Sequence, residues 1–450
     1  MYALSFSLGL EELHKMIAHF NIRQLLLSLL LLSTASAVNL FVAPYNGNIT
    51  TLSLIPTLDP PSWPAQKPFG WPWGSGRPFP PSSPQLTYTL SVTNTFNTST
   101  QSPSWLLLNH HNNILYLIDE ATISGNGTIV TYSTSTGIPS ELHRLDALQG
   151  GVHGVFFNSG TALAIPHYTG SALQIYTLST PFAQPELIQT LTFTAPVGPV
   201  PNRQDAPHPH ETILDPTGRF ILVPDLGADL VRIFSFDAST SLLSELAPLV
   251  AAPGSGPRHG TFTLDAIDDG SYIFYLASEI AATVTAYKVS YPEAGGMEFT
   301  ELNDGVYPSL GAGHPVPATT TGESTGVTAE IITSPDGRFV IASNRRDLSF
   351  NSTTKPLSYS IPSDSLATWA LTGASQGGEA GALEFLGLFP AGGSLPRQFS
   401  MNAAGNLVAV GLQGSGRVIV IERDVDTGVF GRQVAEVEGL GEVTCVVWDE

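Results

Sequence analysis

One plan recurs along this chain: a polar approach, an apolar strand, a tight turn, then two further strands. It is clearest in PHPHETILDPTGRFILVPDLGADLVRIFSFD, residues 207–237, where two histidines precede the first strand and Asp215–Gly218 make the turn. Segments 152–178, 257–289, 328–347 and 396–424 follow the same plan. Short strands repeated at wide, regular intervals predict an all-β chain folded as a β-propeller. That architecture brings the start of every blade to one central channel, where polar residues distant in sequence converge. Seven blades over residues 38–450 allow roughly 60 residues each, above the ~40–50 of common propeller repeats, so insertions are required. The Pro-, Gly- and Trp-rich stretch near 59–85 and an irregular segment at 305–323 are the expected insertions. The final strand, within 442–449, is expected to pair with the strands near residue 40. Such pairing of the N- and C-terminal strands closes the ring and removes free sheet edges.

Composition narrows the partners. Acidic residues outnumber basic ones 38 to 18, for a net charge of −20. Nucleic acid is excluded on that balance, because phosphate backbones need basic patches. A small anion stays open where a few arginines make a local positive pocket. At the N-terminus, Arg23 precedes the apolar run 25–32, and STASA ends at Ala37. This is the pattern of a secretory signal peptide over residues 1–37, with Met16 as an alternative start. The run is too short to span a bilayer, and no membrane span is expected in the mature chain. Asn48, Asn97, Asn126 and Asn351 each open an acceptor sequon for glycosylation. Together these features predict a secreted, glycosylated, monomeric protein. Cys445 is the sole cysteine, so no intramolecular disulfide forms; its apolar flanks predict a buried strand residue.

The motifs carry a resemblance. NLFVAPYNG, PSWL, LYLIDE, PHYTGSALQIY, PHPHETILDPTGRF, VPDLGADLVRIF, GPRHGTF and SPDGRFVIASNR resemble the lactonase family of seven-bladed propellers over nearly the whole mature chain. That family includes bacterial 6-phosphogluconolactonase and fungal 3-carboxy-cis,cis-muconate cyclase. The resemblance implies a site without metal or cofactor, built from one histidine, one glutamate and two arginines. Matched motif by motif, these are His210, Glu279, Arg258 and Arg345.

The residue types suit lactone chemistry. Opening or closing a lactone moves one proton and holds one negative charge. An imidazole titrates near neutrality and can shuttle the proton. Arginines stay charged and bind carboxylate, phosphate or a developing oxyanion. Glu279 would orient an arginine or raise the basicity of His210. Arg345 and Arg346 are adjacent, and strand alternation turns only one inward; Arg345 fits the motif. His208 is an alternative imidazole or faces the opposite way. His259, Arg397 and His153 hold related blade positions, where His259 and Arg397 would touch substrate or only support the rim. Asp225 and Asp229 are expected to fix a turn rather than bind metal. The implied activity is metal-independent hydrolysis or formation of a carboxylated or phosphorylated lactone. The rival expectation is a secreted, non-catalytic propeller that binds carbohydrate or protein at the cell surface, using the aromatic insertion at 60–85.

Overall fold

The computed structural model describes residues 37–59, 85–123, 125–293, 295–310, 327–353, 360–372 and 380–450. The targeting segment up to residue 36 and most of the insertion expected near 59–85 therefore lie outside the described residues. Among the described residues there is no helix, and hence none long and apolar enough to cross a membrane.

Seven four-stranded antiparallel sheets form the blades. Blade 1 joins Val38–Pro44, Asn48–Asp59 and Gln85–Asn97 to the C-terminal strand Val443–Asp449. Blades 2 to 7 are consecutive, within residues 103–147, 155–192, 213–250, 257–308, 327–390 and 396–437. Two compact units are distinguished: residues 39–52 with 92–450, which hold the blades' packed core, and a smaller one that includes 53–91. Within the smaller unit, Thr57 and Thr87 hydroxyls bond across the strand pair at 2.8 Å.

Second strands such as Phe220–Asp225 and Leu407–Leu412 are buried at every position. They read as unbroken apolar runs rather than alternating ones because neighbouring blades cover both faces. Apolar clusters fill the seams. Phe41, Leu117 and Tyr132 pack blade 1 on blade 2; Ile221, Phe234 and Leu173 pack blade 3 on blade 4. Trp369, Tyr275 and Val340 do the same for blades 5 and 6. Fully burying one such side chain is worth ~1.5–3 kcal/mol, so these seams are the main cohesive term.

The seam between blades 7 and 1 also carries directed bonds. Val446 N–H donates to Gln398 Oε1 at 2.8 Å, Ser400 Oγ–H to Val446 O at 2.8 Å, and Trp448 Nε1–H to Ser400 O at 3.2 Å. Closure itself is a ladder, with Phe41 opposite Val447, Val42 opposite Val446 and Ala43 opposite Cys445. Cys445 is buried there, as its apolar neighbours predict.

Most of the first, innermost strands are irregular where the chain meets the channel. Register breaks between Pro103 and Trp105, Pro257 and His259, Thr328 and Ile331, and Pro396 and Gln398. The residues left out of register are Ser104, Arg258, Ala329 with Glu330, and Arg397. A bulge re-aims a side chain and lets consecutive residues serve one face. This is why Arg258 and His259, adjacent in sequence, both act at the channel.

Two features depart from expectation. The strand Glu298–Pro308 continues into the irregular segment expected from residue 305; residues 311–326 lie outside the described residues. Blade 6 also carries an unforeseen hairpin, Phe350–Thr353 with Ser360–Ser363, between its second and third strands.

Deleting Val443–Glu450 removes the inner strand of blade 1 and opens the ring. The truncated protein is expected to lose its cooperative thermal transition and elute as aggregate in size-exclusion chromatography; a monomer that melts like the parent would sink the closure argument.

Candidate active site

The site is built from loops and bulges at the blade starts, with one carboxylate at its centre. Glu279 follows the second strand of blade 5, and three guanidinium groups grip it. Arg258 Nε lies 2.8 Å and Arg345 Nη2 2.7 Å from Glu279 Oε2, while Arg203 pairs with Oε1. Burial pushes the Glu279 carboxyl up, but Arg345, Arg203 and Arg258 together outweigh it and hold it well below the usual carboxylate range. Arg258 is fully buried, donates from Nη1 to Ala329 O at 2.7 Å, and is lowered to about 10 by burial and by Arg345 and Arg397. Arg345 and Arg203 keep partial exposure, 16% and 26% of their side chains. Arg346 adopts φ 65° and is exposed, so the adjacent pair divides as alternation requires.

Across the channel, Arg397 bonds Ser104 Oγ at 2.9 Å and Glu120 Oε2 at 3.2 Å, and also pairs with Tyr45. Burial opposes its charge, yet Tyr45 and Glu120 bind its proton more firmly than usual. Four arginines thus share the channel with two carboxylates that pair with them, a cationic pocket in a chain of net charge −20. Such a pocket focuses its field on anions.

His210 stands beside these arginines. Its Nδ1 lies 3.2 Å from His259 Nε2, and its Nε2 makes no hydrogen bond among the described residues. Burial first, and then Arg258, His259, Arg397 and Arg345, hold it well below the usual imidazole range, so it is neutral at pH 7. Tyr168 meets its ring edge-on, with centroids 5.7 Å apart.

His259 is bonded on both sides, by Nε2 to His210 and by Nδ1 to Glu330 Oε1 at 2.9 Å. It lies behind His210, with both ring nitrogens engaged. The ring nitrogens of His208 are engaged likewise. Its Nδ1 meets Tyr168 O at 2.9 Å, its Nε2 meets Asp205 Oδ1 at 3.0 Å, and its ring stacks on Tyr168 at 4.2 Å. Neither nitrogen is left for a ligand. His153 packs on Trp105 at 4.2 Å and lies 3.6 Å from Glu211.

Glu211, His259 and Glu330 are buried, with one donor atom of each within 4.8 Å of the others, close enough to surround a cation. Two of the carboxylate oxygens are engaged: Glu211 Oε2 accepts Gly260 N–H at 2.6 Å and Glu330 Oε1 meets His259, while Glu330 Oε2 has no hydrogen-bond partner among the described residues. Burial raises both carboxyls, Glu211 well above the usual range and Glu330 to about 7. Raised carboxyls bonded into their surroundings suit a cluster that shares protons.

Asp225 and Asp229 organise the approach loop that carries Arg203 and His208. Asp225 Oδ1 accepts His208 N–H at 2.6 Å, and its Oδ2 accepts Arg232 Nε–H at 2.8 Å. Asp229 accepts Gln204 Nε2–H at 2.7 Å and the Gly254 and Gly256 N–H groups at 2.6 and 2.9 Å. Both serve the loop, as DLGAD predicts. Gly227 lets the loop approach, since a Cβ there would lie 1.8 Å from Ala206 O.

Arg203, Glu330, Glu211, Tyr168, Tyr45 and Glu120 escaped sequence reasoning. The usable signal for Arg203 was an arginine in a proline-rich loop of a base-poor chain, seven residues before His210. Glu330 carries a charge in an otherwise apolar inner strand, TAEII, a position that rarely holds an acid without a partner.

Two variants test this geometry. Gly227→Ala is expected to cost roughly 3 kcal/mol of stability in denaturant melts, because the loop must retreat. Glu279→Gln leaves three arginines without their counter-charge and is expected to cost roughly 3–5 kcal/mol at pH 7. Since the folded carboxyl titrates below its ordinary value, that stabilisation is complete above pH about 4.3 and is lost as pH falls further. The gap between parent and variant should therefore stay constant from pH 5 to 8 and narrow in acid; a gap that widens in acid contradicts the three-arginine grip.

Comparison with known proteins agrees with this fold. The family model described as lactonase, 7-bladed beta-propeller, matches residues 84–448. A probable 6-phosphogluconolactonase of Arthroderma benhamiae is 29% identical over 353 residues, covering 78% of this chain and 81% of its own. The 6-phosphogluconolactonase of Formosa agariphila is 26% identical over 333 residues, with 72% and 82% covered. Among solved structures, the periplasmic gluconolactonase of Pseudomonas aeruginosa superposes with a TM-score of 0.67 at 21% identity, over 92% of this chain and 99% of that one. That likeness is one of fold.

Proposed function

The chain belongs to the seven-bladed β-propeller lactonase family, and from that premise we propose that it hydrolyses an anionic lactone, carboxylated or phosphorylated, in the central channel and without a metal. The observation that carries this reading is the buried His210, its Nε2 without a hydrogen bond among the described residues, set among arginines. The names of the relatives, 6-phosphogluconolactonases, support hydrolysis as the direction and an anionic sugar lactone as the substrate class.

In this mechanism His210 Nε2 takes a proton from water as the water oxygen attacks the lactone carbonyl carbon. Negative charge moves onto the carbonyl oxygen, where a guanidinium N–H stabilises it. Arg345 is the candidate, since it is partly exposed and its Nε has no hydrogen-bond partner among the described residues. Arg203 and Arg397 take the substrate's phosphate or carboxylate. Glu279 contacts no substrate; it holds Arg203, Arg258 and Arg345 in place.

The purified protein should turn over 6-phosphogluconolactone or a carboxylated lactone, with activity surviving EDTA. His210→Ala should lower kcat/KM by ~10²–10⁴-fold, and Arg345→Ala by ~10²–10³-fold, with melting temperatures near the parent's. Activity lost to EDTA would overturn the metal-free assignment. No turnover across 6-phosphogluconolactone, carboxymuconolactone and simple aldonolactones would overturn the hydrolytic one.

Export is part of the same proposal. The sequon asparagines Asn126 and Asn351 are exposed, as an acceptor requires. Protein secreted from a eukaryotic host should lose mass on peptide-N-glycosidase treatment; an unchanged mass in a protein retained inside the cell sinks this part.

A further inference from the structure

Behind His210 runs a continuous line of bonds that the hydrolytic reading leaves unused. His210 Nδ1 meets His259 Nε2 at 3.2 Å, and His259 Nδ1 meets Glu330 Oε1 at 2.9 Å. Each imidazole has one donor and one acceptor when neutral, so the polarity of the line is all-or-none. With Glu330 ionised, His259 Nδ1–H donates to it, His210 Nδ1–H donates to His259, and His210 Nε2 faces the channel bare. With Glu330 protonated, every bond reverses and His210 presents Nε2–H.

Resting on the hydrolytic reading above, we propose that Glu330 and His259 form a proton relay: the proton that His210 takes from water is stored on Glu330 and returned to the leaving alkoxide. The step balances. The water O–H bond breaks and its oxygen bonds the carbonyl carbon. The proton enters at His210 Nε2, the His210 Nδ1 proton passes to His259 Nε2, and the His259 Nδ1 proton passes to Glu330 Oε1. The charge lost at Glu330 reappears on the carbonyl oxygen, and both rings end neutral. When the carbonyl re-forms, the ring C–O bond breaks, the alkoxide takes the Nε2 proton and the line resets. The new carboxylic acid ionises to solvent.

The surroundings explain why a relay is needed. Arg258, Arg345 and Arg397 bear on both His210 and His259, so an imidazolium at either is disfavoured. Glu330 can hold the proton without placing a new positive charge among them. Its Oε2 is buried and unpartnered among the described residues. Facing it are His259 and Arg258 from blade 5, Glu211 ahead of blade 4, His153 ahead of blade 3, Arg397 from blade 7 and Cys445 from blade 1. Glu211 is anchored by Gly260 N–H, whereas Glu330 Oε1 is the carboxylate oxygen that meets His259, which makes Glu330 the acceptor at the end of the line. His259 and Glu330 are positioning residues; neither touches the reacting atoms.

Glu330→Gln is the test, since the amide oxygen still accepts from His259 Nδ1–H but stores no proton. Because Glu330 must be ionised to receive, kcat/KM of the parent should rise with pH through about 7. In Glu330→Gln that rise should vanish from the neighbourhood of pH 7, with kcat lowered about 10²-fold. An activity-independent readout is the ¹⁵N-histidine NMR titration of the intact protein. In the parent, His210 Nε2 should change from bare to protonated near pH 7 while the ring stays neutral; in Glu330→Gln it should stay bare. Imidazolium signals for His210 in the parent, or an unchanged pH profile and kcat in the variant, would overturn the relay. So would a stoichiometric divalent cation found in the purified parent and lost in Glu330→Gln. If no lactone is turned over, the hydrolytic reading fails alone, and the titration still decides whether the line of bonds reverses.

Discussion

A ring of sheets holds only if its last strand finds its first. Here Val443–Asp449 pairs with Val38–Pro44 and becomes the inner strand of a blade whose other three strands come from the opposite end of the chain. Closure packs blade 7 on blade 1, so second strands such as Phe220–Asp225 and Leu407–Leu412 are buried at every position. It also forces the starts of seven blades onto one axis. The channel residues span Tyr45 to Arg397 in sequence, and only a closed ring brings them within bonding distance.

That convergence creates an electrostatic problem, and Glu279 is its solution. Arginines from the loop before blade 4, from blade 5 and from blade 6 would repel one another in a buried channel. One buried carboxylate is ion-paired with each. Arg397 has its own partners in Glu120 and Tyr45. The arrangement keeps positive charge buried and oriented, the condition for binding anions and steadying an oxyanion. The same field makes charged imidazoles costly, which gives the buried carboxylates behind His259 a chemical meaning.

Much of this was legible in particular residues. The spacing of DPTG and SPDG marked blades, and VTCVVW marked the closing strand. Arg258 and Arg345 came with the family resemblance of GPRHGTF and SPDGRFVIASNR, not from spacing. The bulges at Pro257–His259 and Pro396–Gln398 were present as Pro-Arg pairs, yet nothing in the alternation of those strands says that the register breaks there. His208 and His210 stand two residues apart in one motif, and the sequence left His208 as an alternative to His210. The difference is that Asp205 and the Tyr168 carbonyl consume both nitrogens of one, while the other keeps one free.

By itself, the sequence determined the all-β class, the seven repeats, the closing strand and the family, because these depend on local period, turn chemistry and motif. Tertiary structure alone decided that Arg203 joins Arg258 and Arg345 on one carboxylate, that His259 stands behind His210, and that Glu330 ends their line of bonds. These are contacts between residues as much as 76 positions apart, as in Arg203 with Glu279. They exist because blade geometry, not chain proximity, sets which side chains meet, and no local pattern encodes a partner supplied by another blade.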